Sequence, residues 1–146
     1  MIEINNKKAY FDYDIIDTYE VGIVLTGTEI KSIRMGKANL KDSYAIIKNN
    51  ELFLLNMHIS TYEQGNRFNH EETRTRKLLM HKKEILKLKD KIEISGFTLI
   101  PIKLYFKGSI AKVLIGLAKG KKIYDKRESI KKKDIERQVA KDLKGY

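Results

Sequence analysis

FTLIPIKLYF (97–106) and IAKVLIGLA (110–118), joined by Lys107-Gly108-Ser109, decide the fold. Both runs are rich in β-branched and aromatic residues, and each is the length of a strand. In the first, alternation puts Ile100, Ile102, Leu104 and Phe106 on one face and Lys103 and Tyr105 on the other. Pro101 has no N–H for a ladder, so an edge or a bulge is expected there. Upstream, from Arg74 to Ile94, the period changes. Leu78, Ile85, Leu88 and Ile92 share one helical stripe, most lysines lie off it, and Ser95-Gly96 closes a single long helix. Before that, SYAIIK and ELFLLN flank Asn49-Asn50, two residues that tolerate positive φ and suit a hairpin. NMHISTY continues as strand or extended chain, and QGNRFNHEET (64–73) reads as a loop. TYEVGIVL (18–25) is a further strand. Thr26 followed by Glu29 has capping-box spacing, and Gly36 is a stop, so TGTEIKSIRMG forms a short helix. That helix turns Ile30 and Ile33 inward and groups Lys31 with Arg34. The order strand–helix–strand–strand–helix–strand–strand predicts a mainly β fold with some α: a small antiparallel β-barrel of the oligonucleotide-binding (OB-like) kind, with flanking helices.

The chain has 146 residues and a formal net charge of +11. Residues 1–118 are enough for one self-sufficient core and form the expected barrel domain. Residues 119–146 hold eleven Lys and Arg against five Asp and Glu, which is +6 of that total. Ile135, Val139 and Leu143 recur every fourth residue there, but an isolated helix of this length is marginal in water. The expectation is a basic C-terminal tail, disordered alone and helical against a partner. A folded body with a cationic arm suits a polyanion, and nucleic acid is the commonest in a cell. The chain has no Cys, which excludes a disulfide scaffold and a Cys-ligated zinc site and fits a reducing compartment. The first residues, MIEINNKK, have no apolar run of the signal-peptide kind, and no stretch is long enough to cross a bilayer. A soluble cytoplasmic protein with no membrane association is expected.

Little points to catalysis. His58, His70 and His81 stand in no metal-ligand spacing, and neither a nucleophile elbow, a Walker loop nor a dinucleotide fingerprint occurs. No catalytic residue, metal or cofactor is assigned. Glu29 has two readings: the cap above, or a carboxylate that accepts from a base or orients Lys31 and Arg34. Asn6, Lys7 and Lys8 form either a solvated end or a phosphate contact. Tyr44, Tyr62 and Tyr105 either stack on bases or lie half-buried on the barrel. Arg74, Arg76 and Lys77 flank the start of the expected long helix. Cations there oppose the macrodipole, so an external anion is the better reason for them.

Several strings, in this order and spacing, resemble the SmpB (small protein B, SsrA-binding protein) family: GTEIKSIRMGKANLKDSY, ELFLLNMHISTY, RTRKLLMHKKEI, GFTLIPIKLYF and AKGKKIYDKRE. The resemblance runs from Asn6-Lys7-Lys8-Ala9 through Lys131-Lys132-Lys133-Asp134. It implies an OB-like barrel that binds transfer-messenger RNA (tmRNA, SsrA RNA) at the elbow of its tRNA-like part. It also implies entry into ribosomes stalled without a stop codon, for trans-translation. In that picture the protein stands in for the anticodon arm at the small-subunit decoding centre, and its tail enters the empty mRNA channel. The family is non-catalytic, and a monomer on RNA is expected. By this resemblance Glu29 matches the tmRNA-binding glutamate and Asn6 a family asparagine in the same contact. Gly120, with Asp125, Lys126 and Arg127, matches the tail determinants of ribosome function, and Lys121, Lys122, Lys131, Lys132 and Lys133 extend that basic tail. Where many relatives have His, then an acid and Tyr, this chain has Phe11-Asp12-Tyr13. Stacking survives that change; a hydrogen bond or a charge from His does not.

A disordered basic arm can test whether a channel is vacant: message in place excludes it by volume, while an empty phosphate-walled channel attracts its lysines. The alternative is a structural ribosomal or ribosome-assembly protein that holds rRNA permanently. That protein would share the basic body and tail but would accompany every ribosome.

Overall fold

The hairpin read from 97–118 is the longest element of the computed structural model, which describes residues 2–62 and 69–120. β8 (Thr98–Lys107) and β9 (Ile110–Gly120) pair antiparallel from Thr98↔Ala118 to Lys107↔Ile110. The turn needs positive φ at its first central residue, and Gly108 supplies it at 62°. Before this hairpin come β1 (Glu3–Asn5), α1 (Ala9–Asp12), β2 (Tyr13–Ile23), α2 (Gly27–Arg34), β3 (Ala38–Asn39) and β4 (Tyr44–Lys48). Then follow β5 (Glu51–Leu55), β6 (His58–Ile59), β7 (Arg76–Leu79) and α3 (Lys82–Ser95). Asn49 and Asn50, at φ 53° and 60°, make the β4–β5 turn as their tolerance of that region predicts.

Six antiparallel strands close into a ring, β8-β4-β5-β7-β2-β9 and back to β8; β1 extends β8, while β3 and β6 pair separately. The mainly β, OB-like expectation is met by this ring, although two of its seams are thin. β4 meets β8 only at Ala45↔Leu99, and β2 meets β7 only at Gly22↔Leu79 and Ile23↔Leu78. Inside the ring Val21, Leu52, Leu54, Leu78, Leu99, Leu104, Val113 and Ile115 form the core, capped by Ile85 and Leu88 of α3. α3 ends where Gly96 enters the left-handed region at φ 68°.

Two expectations need correction. The single helix from Arg74 to Ile94 is a strand followed by a helix. Leu78 satisfies a helical stripe and a strand alternation equally well, and the unpaired edge of β5 selects the strand through Leu52↔Leu78, Phe53↔Lys77 and Leu54↔Arg76. Pairing across the sheet thus overrides local helix preference, and the helix begins only at Lys82. The second correction concerns β8. The register shifts between Pro101 and Lys103, which is the expected bulge. One extra residue reverses the alternation. Leu104 and Phe106 therefore face the core, whereas Ile100 and Ile102 lie on the outer surface in a second cluster with Ala9 and Ala118. Tyr13, Ile15 and Leu114 pack against that cluster. β2 also starts earlier than its apolar run, at Tyr13, with its own register shift between Ile15 and Asp17.

Gly116 makes room for the second cluster. A Cβ there would stand 3.0 Å from Ile102 Cδ1 and 3.3 Å from Ile15 Cδ1 and Cγ2. Gly116→Val is expected to overpack this outer layer and cost about 1–3 kcal/mol, read as a lower urea midpoint at unchanged m-value. An unchanged midpoint would mean that the layer is loosely packed.

Candidate RNA interface

The N-terminus of α2 carries the most concentrated polar structure in the described residues. The capping box forms as its spacing predicts: Thr26 Oγ1 accepts from the Glu29 N–H at 3.3 Å, and the Thr26 N–H donates to Glu29 Oε1 at 2.8 Å. The same carboxylate accepts three further bonds. Arg74 Nη2 donates to Oε1 at 2.6 Å, Arg74 Nε to Oε2 at 3.1 Å and Arg76 Nε to Oε2 at 2.6 Å. Arg76 also donates from Nη1 to the Met57 carbonyl at 2.6 Å and from Nη2 to the Glu72 carbonyl at 3.0 Å. The side chains of Glu29 and Arg76 are 0% exposed, and that of Arg74 is 29% exposed. Burial pushes the Glu29 carboxyl up, but the bonds from Arg74, the Thr26 N–H and Arg76 more than offset it, and it sits below the usual carboxylate range. Burial pulls the Arg76 guanidinium down, with Glu29 opposing.

Glu29 therefore has its acceptor capacity filled from within the fold, and Arg76 is no free anion site. The anion expected to explain Arg76 is internal: it is Glu29. His70 extends this knot. Its Nε2–H donates to the Ile59 carbonyl at 2.8 Å, which leaves Nδ1 to accept from Thr28 Oγ1 at 2.9 Å. His58 faces Glu72 at 3.6 Å, and His81 is the exposed residue preceding α3.

The other residues singled out in the sequence disperse around this knot. Lys31 and Arg34 are both exposed on α2; Lys31 lies 5.4 Å from the Tyr62 ring centroid and Arg34 4.8 Å from that of Phe106. Lys77 points outward from β7 and bridges to Glu51 at 2.6 Å. Asn6 ties the N-terminal segment to the β8 bulge, its Nδ2 donating to the Pro101 carbonyl at 2.9 Å and its N–H to the Ile102 carbonyl at 2.8 Å. Lys7 and Lys8 are exposed beside it. Tyr105 donates to Glu20, which also takes Lys107 Nζ at 3.0 Å; burial and Glu20 push the phenol up to about 12. Lys119 and Gly120 belong to β9, and Lys121, Lys122, Asp125, Lys126, Arg127, Lys131, Lys132 and Lys133 lie outside the described residues.

Two grooves flank the ring. One, of about 540 Å³, lies over β7 and the start of α3, where Lys77, Lys82 and Lys112 are matched by Glu20, Glu51 and Glu84 around Leu79. Leu79 is 52% exposed there, an apolar residue among charged ones. The other, of about 750 Å³, lies over β1, β8 and the start of β4, lined by Lys7, Lys8 and Lys41 with Tyr44. β7 stands three strands from β8 by either route around the ring, so the two grooves are on opposite sides. Leu79, Lys112 and Lys41 were not singled out in the sequence. The signal for Leu79 was its outward place in an alternating strand, hidden while the segment read as helix. Among the described residues no three His, Cys, Asp or Glu side chains are placed to hold a metal ion, and no helix is long and apolar enough to cross a membrane.

Comparison with known proteins gives one consistent result. The family model described as SmpB protein matches residues 3–145. An SsrA-binding protein of Carboxydothermus hydrogenoformans is 63% identical over 140 residues, 96% of this chain and 94% of that protein. SsrA-binding proteins of Enterococcus faecalis and of Staphylococcus aureus strain Newman are 62% and 60% identical, each covering 96% of this chain and 91% of theirs. A solved structure described as "tmRNA-SmpB: a journey to the center of the bacterial ribosome" superposes with a TM-score of 0.70 at 46% identity, over 95% of this chain and 98% of that one. With the family model matched over residues 3–145 and relatives at 60% identity or more along 96% of its length, the chain belongs to the SmpB family.

Proposed function

We propose that this chain binds SsrA RNA (tmRNA) through the RNA's tRNA-like part and serves trans-translation on stalled ribosomes as a non-catalytic cytoplasmic partner. The observation that carries this reading is the match to SsrA-binding proteins over 96% of the chain, on a fold that sets Lys7, Lys8 and Lys41 around one groove and leaves Lys31 and Arg34 exposed on α2. Exposed cations of this kind grip folded RNA by shape and phosphate without reading its sequence. On this reading Asn6, Lys7, Lys8, Lys31, Arg34, Arg74 and Lys77 contribute to the RNA-facing surface. Glu29 and Arg76 act from beneath it by fixing where Arg74 emerges. The chain binds as a monomer, its body takes the place of an anticodon arm, and residues beyond Gly120 enter the message channel.

The direct test is the affinity of the full chain for a transcript of the tRNA-like part, measured against salt. Tight binding with a steep salt dependence is expected, and Lys7→Ala and Lys8→Ala should each lower the log–log slope by roughly 0.7–0.9. Equal affinity for that transcript and for an unrelated duplex of the same length would overturn the assignment.

A further inference from the structure

The groove over β8 exists because of a local defect in the sheet. Pro101 has no N–H to give a neighbour, and Ile102 is the bulged residue, so β8 changes partner across this stretch. Below it β8 meets β4 at Leu99, and above it β8 meets β1 from Lys103 to Tyr105. Between these contacts, from Ile100 to Ile102, β8 pairs with neither β4 nor β1. Asn6 spans the opening with its two bonds to the Pro101 and Ile102 carbonyls, which satisfies the backbone without filling the space. The result is a groove of about 750 Å³, large enough for a nucleotide.

Its lining has three parts. Ile4, Ala9, Ala38 and Ile100 give an apolar floor. Tyr44 stands at the edge with 39% of its surface exposed, the first residue of β4, where no strand of the ring covers its outward side. Lys7, Lys8 and Lys41 stand around the rim with the amides of Asn5 and Asn39. The rim loop is held in shape: the Lys41 N–H donates to Asn39 Oδ1 at 2.7 Å, Asp42 takes a φ of 60°, and the Ser43 N–H donates to the Leu40 carbonyl at 3.1 Å. Asp12 and Asp42 also line the groove, so its charge is modest and its affinity must come partly from the ring and the floor.

An exposed aromatic edge, an apolar floor and lysines at the rim are the parts that take one unstacked nucleotide. The base lies against the tyrosine and its flanking phosphates meet ammonium groups. We infer that this groove is a single-nucleotide pocket for an unpaired residue of bound RNA, with Tyr44 as the stacking platform and Lys41 and Lys8 as phosphate contacts. The inference rests on the functional reading above and adds to it a defined subsite and the kind of RNA residue that fills it.

The test uses the full-length chain, hexauridylate as a single-stranded probe, and the tRNA-like transcript. Hexauridylate should bind measurably at low salt. Tyr44→Ala should weaken that binding at least about fivefold, and Tyr44→Phe, which keeps the ring, should retain it. Lys41→Ala should lower the salt slope for the probe by roughly 0.7, the single-strand value for one phosphate. Thermal midpoints of the three variants serve as the folding control. If Tyr44→Ala binds hexauridylate as the unaltered chain does, or if the unaltered chain does not bind it, the pocket is overturned. If the unaltered chain ignores the tRNA-like transcript while hexauridylate binding still depends on Tyr44, the functional reading falls and the pocket stands.

Discussion

Arg76→Met is expected to cost about 3–5 kcal/mol of folding stability. The guanidinium is fully buried, donates to Glu29 at 2.6 Å and satisfies the Met57 and Glu72 carbonyls. Removing it leaves a buried carboxylate with one charge partner fewer and takes the donor from the buried Met57 carbonyl. Glu29→Ala should fall in the same range, above the roughly 0.5–2 kcal/mol that the loss of a helix cap costs by itself. It also leaves two guanidiniums, one of them fully buried, with no carboxylate. The double substitution should cost less than the sum, because each single change already breaks the shared bond. Urea unfolding at pH 7 reads all three. A cost for Glu29→Ala confined to the cap range would mean that the ion network adds nothing. Glu29→Ala should also weaken RNA binding, through Arg74 rather than through direct contact, since all four bonds to the carboxylate come from within the fold.

The same knot sets an acid limit. The folded-state pKa of Glu29 lies below its unfolded value. Its contribution is therefore fully present above the unfolded value, about 4.3, and is lost as pH falls through the folded one. Stability should decline on acidification below about pH 4 in the unaltered chain, and less steeply in Glu29→Ala. Parallel declines would place the titrating group elsewhere.

Truncation after Gly120 is expected to leave binding of the tRNA-like RNA within a few-fold and to abolish peptide tagging on stalled ribosomes. The cut belongs there because β9 runs on to Gly120, which pairs with Tyr13, and Lys119 pairs with Asp14. Ending the chain at Ala118 would open that end of β2 and mix a folding defect with the loss of the tail. The removed segment carries ten of the thirty Lys and Arg. Association with stalled ribosomes, followed by tag formation in a reconstituted system, separates the two roles. Undiminished tagging by the truncated chain would remove the segment from the mechanism. Complete loss of RNA binding would contradict the division of labour between body and tail.

What the sequence made legible was local. The Asn49-Asn50 turn, the Thr26–Glu29 box, the Gly96 stop and the Pro101 bulge each depend on residues within a few positions of one another, and all four stand in the structure. What it hid was decided across the sheet. Leu78 fits a helix or a strand until the open edge of β5 is known. A bulge is visible at Pro101, but its consequence, the outward turn of Ile100 and Ile102, depends on the register with β9. The same holds for the site. Glu29 lies 45 positions from Arg74 and 47 from Arg76, and no spacing rule links them. Reading Arg74 and Arg76 as facing an external anion, and leaving Glu29 between a cap and an RNA contact, followed from treating each in its own segment. Tyr44 could be named as a candidate stacker, but the groove beside it needs β1, β4 and β8 brought together.

The central claim is that this chain clasps one particular adaptor-like RNA and meets ribosomes only when they stall. It is tested most directly by recovering the full chain from cells with stalled ribosomes, sequencing the RNA bound to it, and counting chains per ribosome. The account predicts a single dominant RNA with a tRNA-like end, and ribosome association that is substoichiometric and enriched on the stalled fraction. Recovery of ribosomal RNA alone, with one chain on every ribosome whether stalled or not, would contradict it.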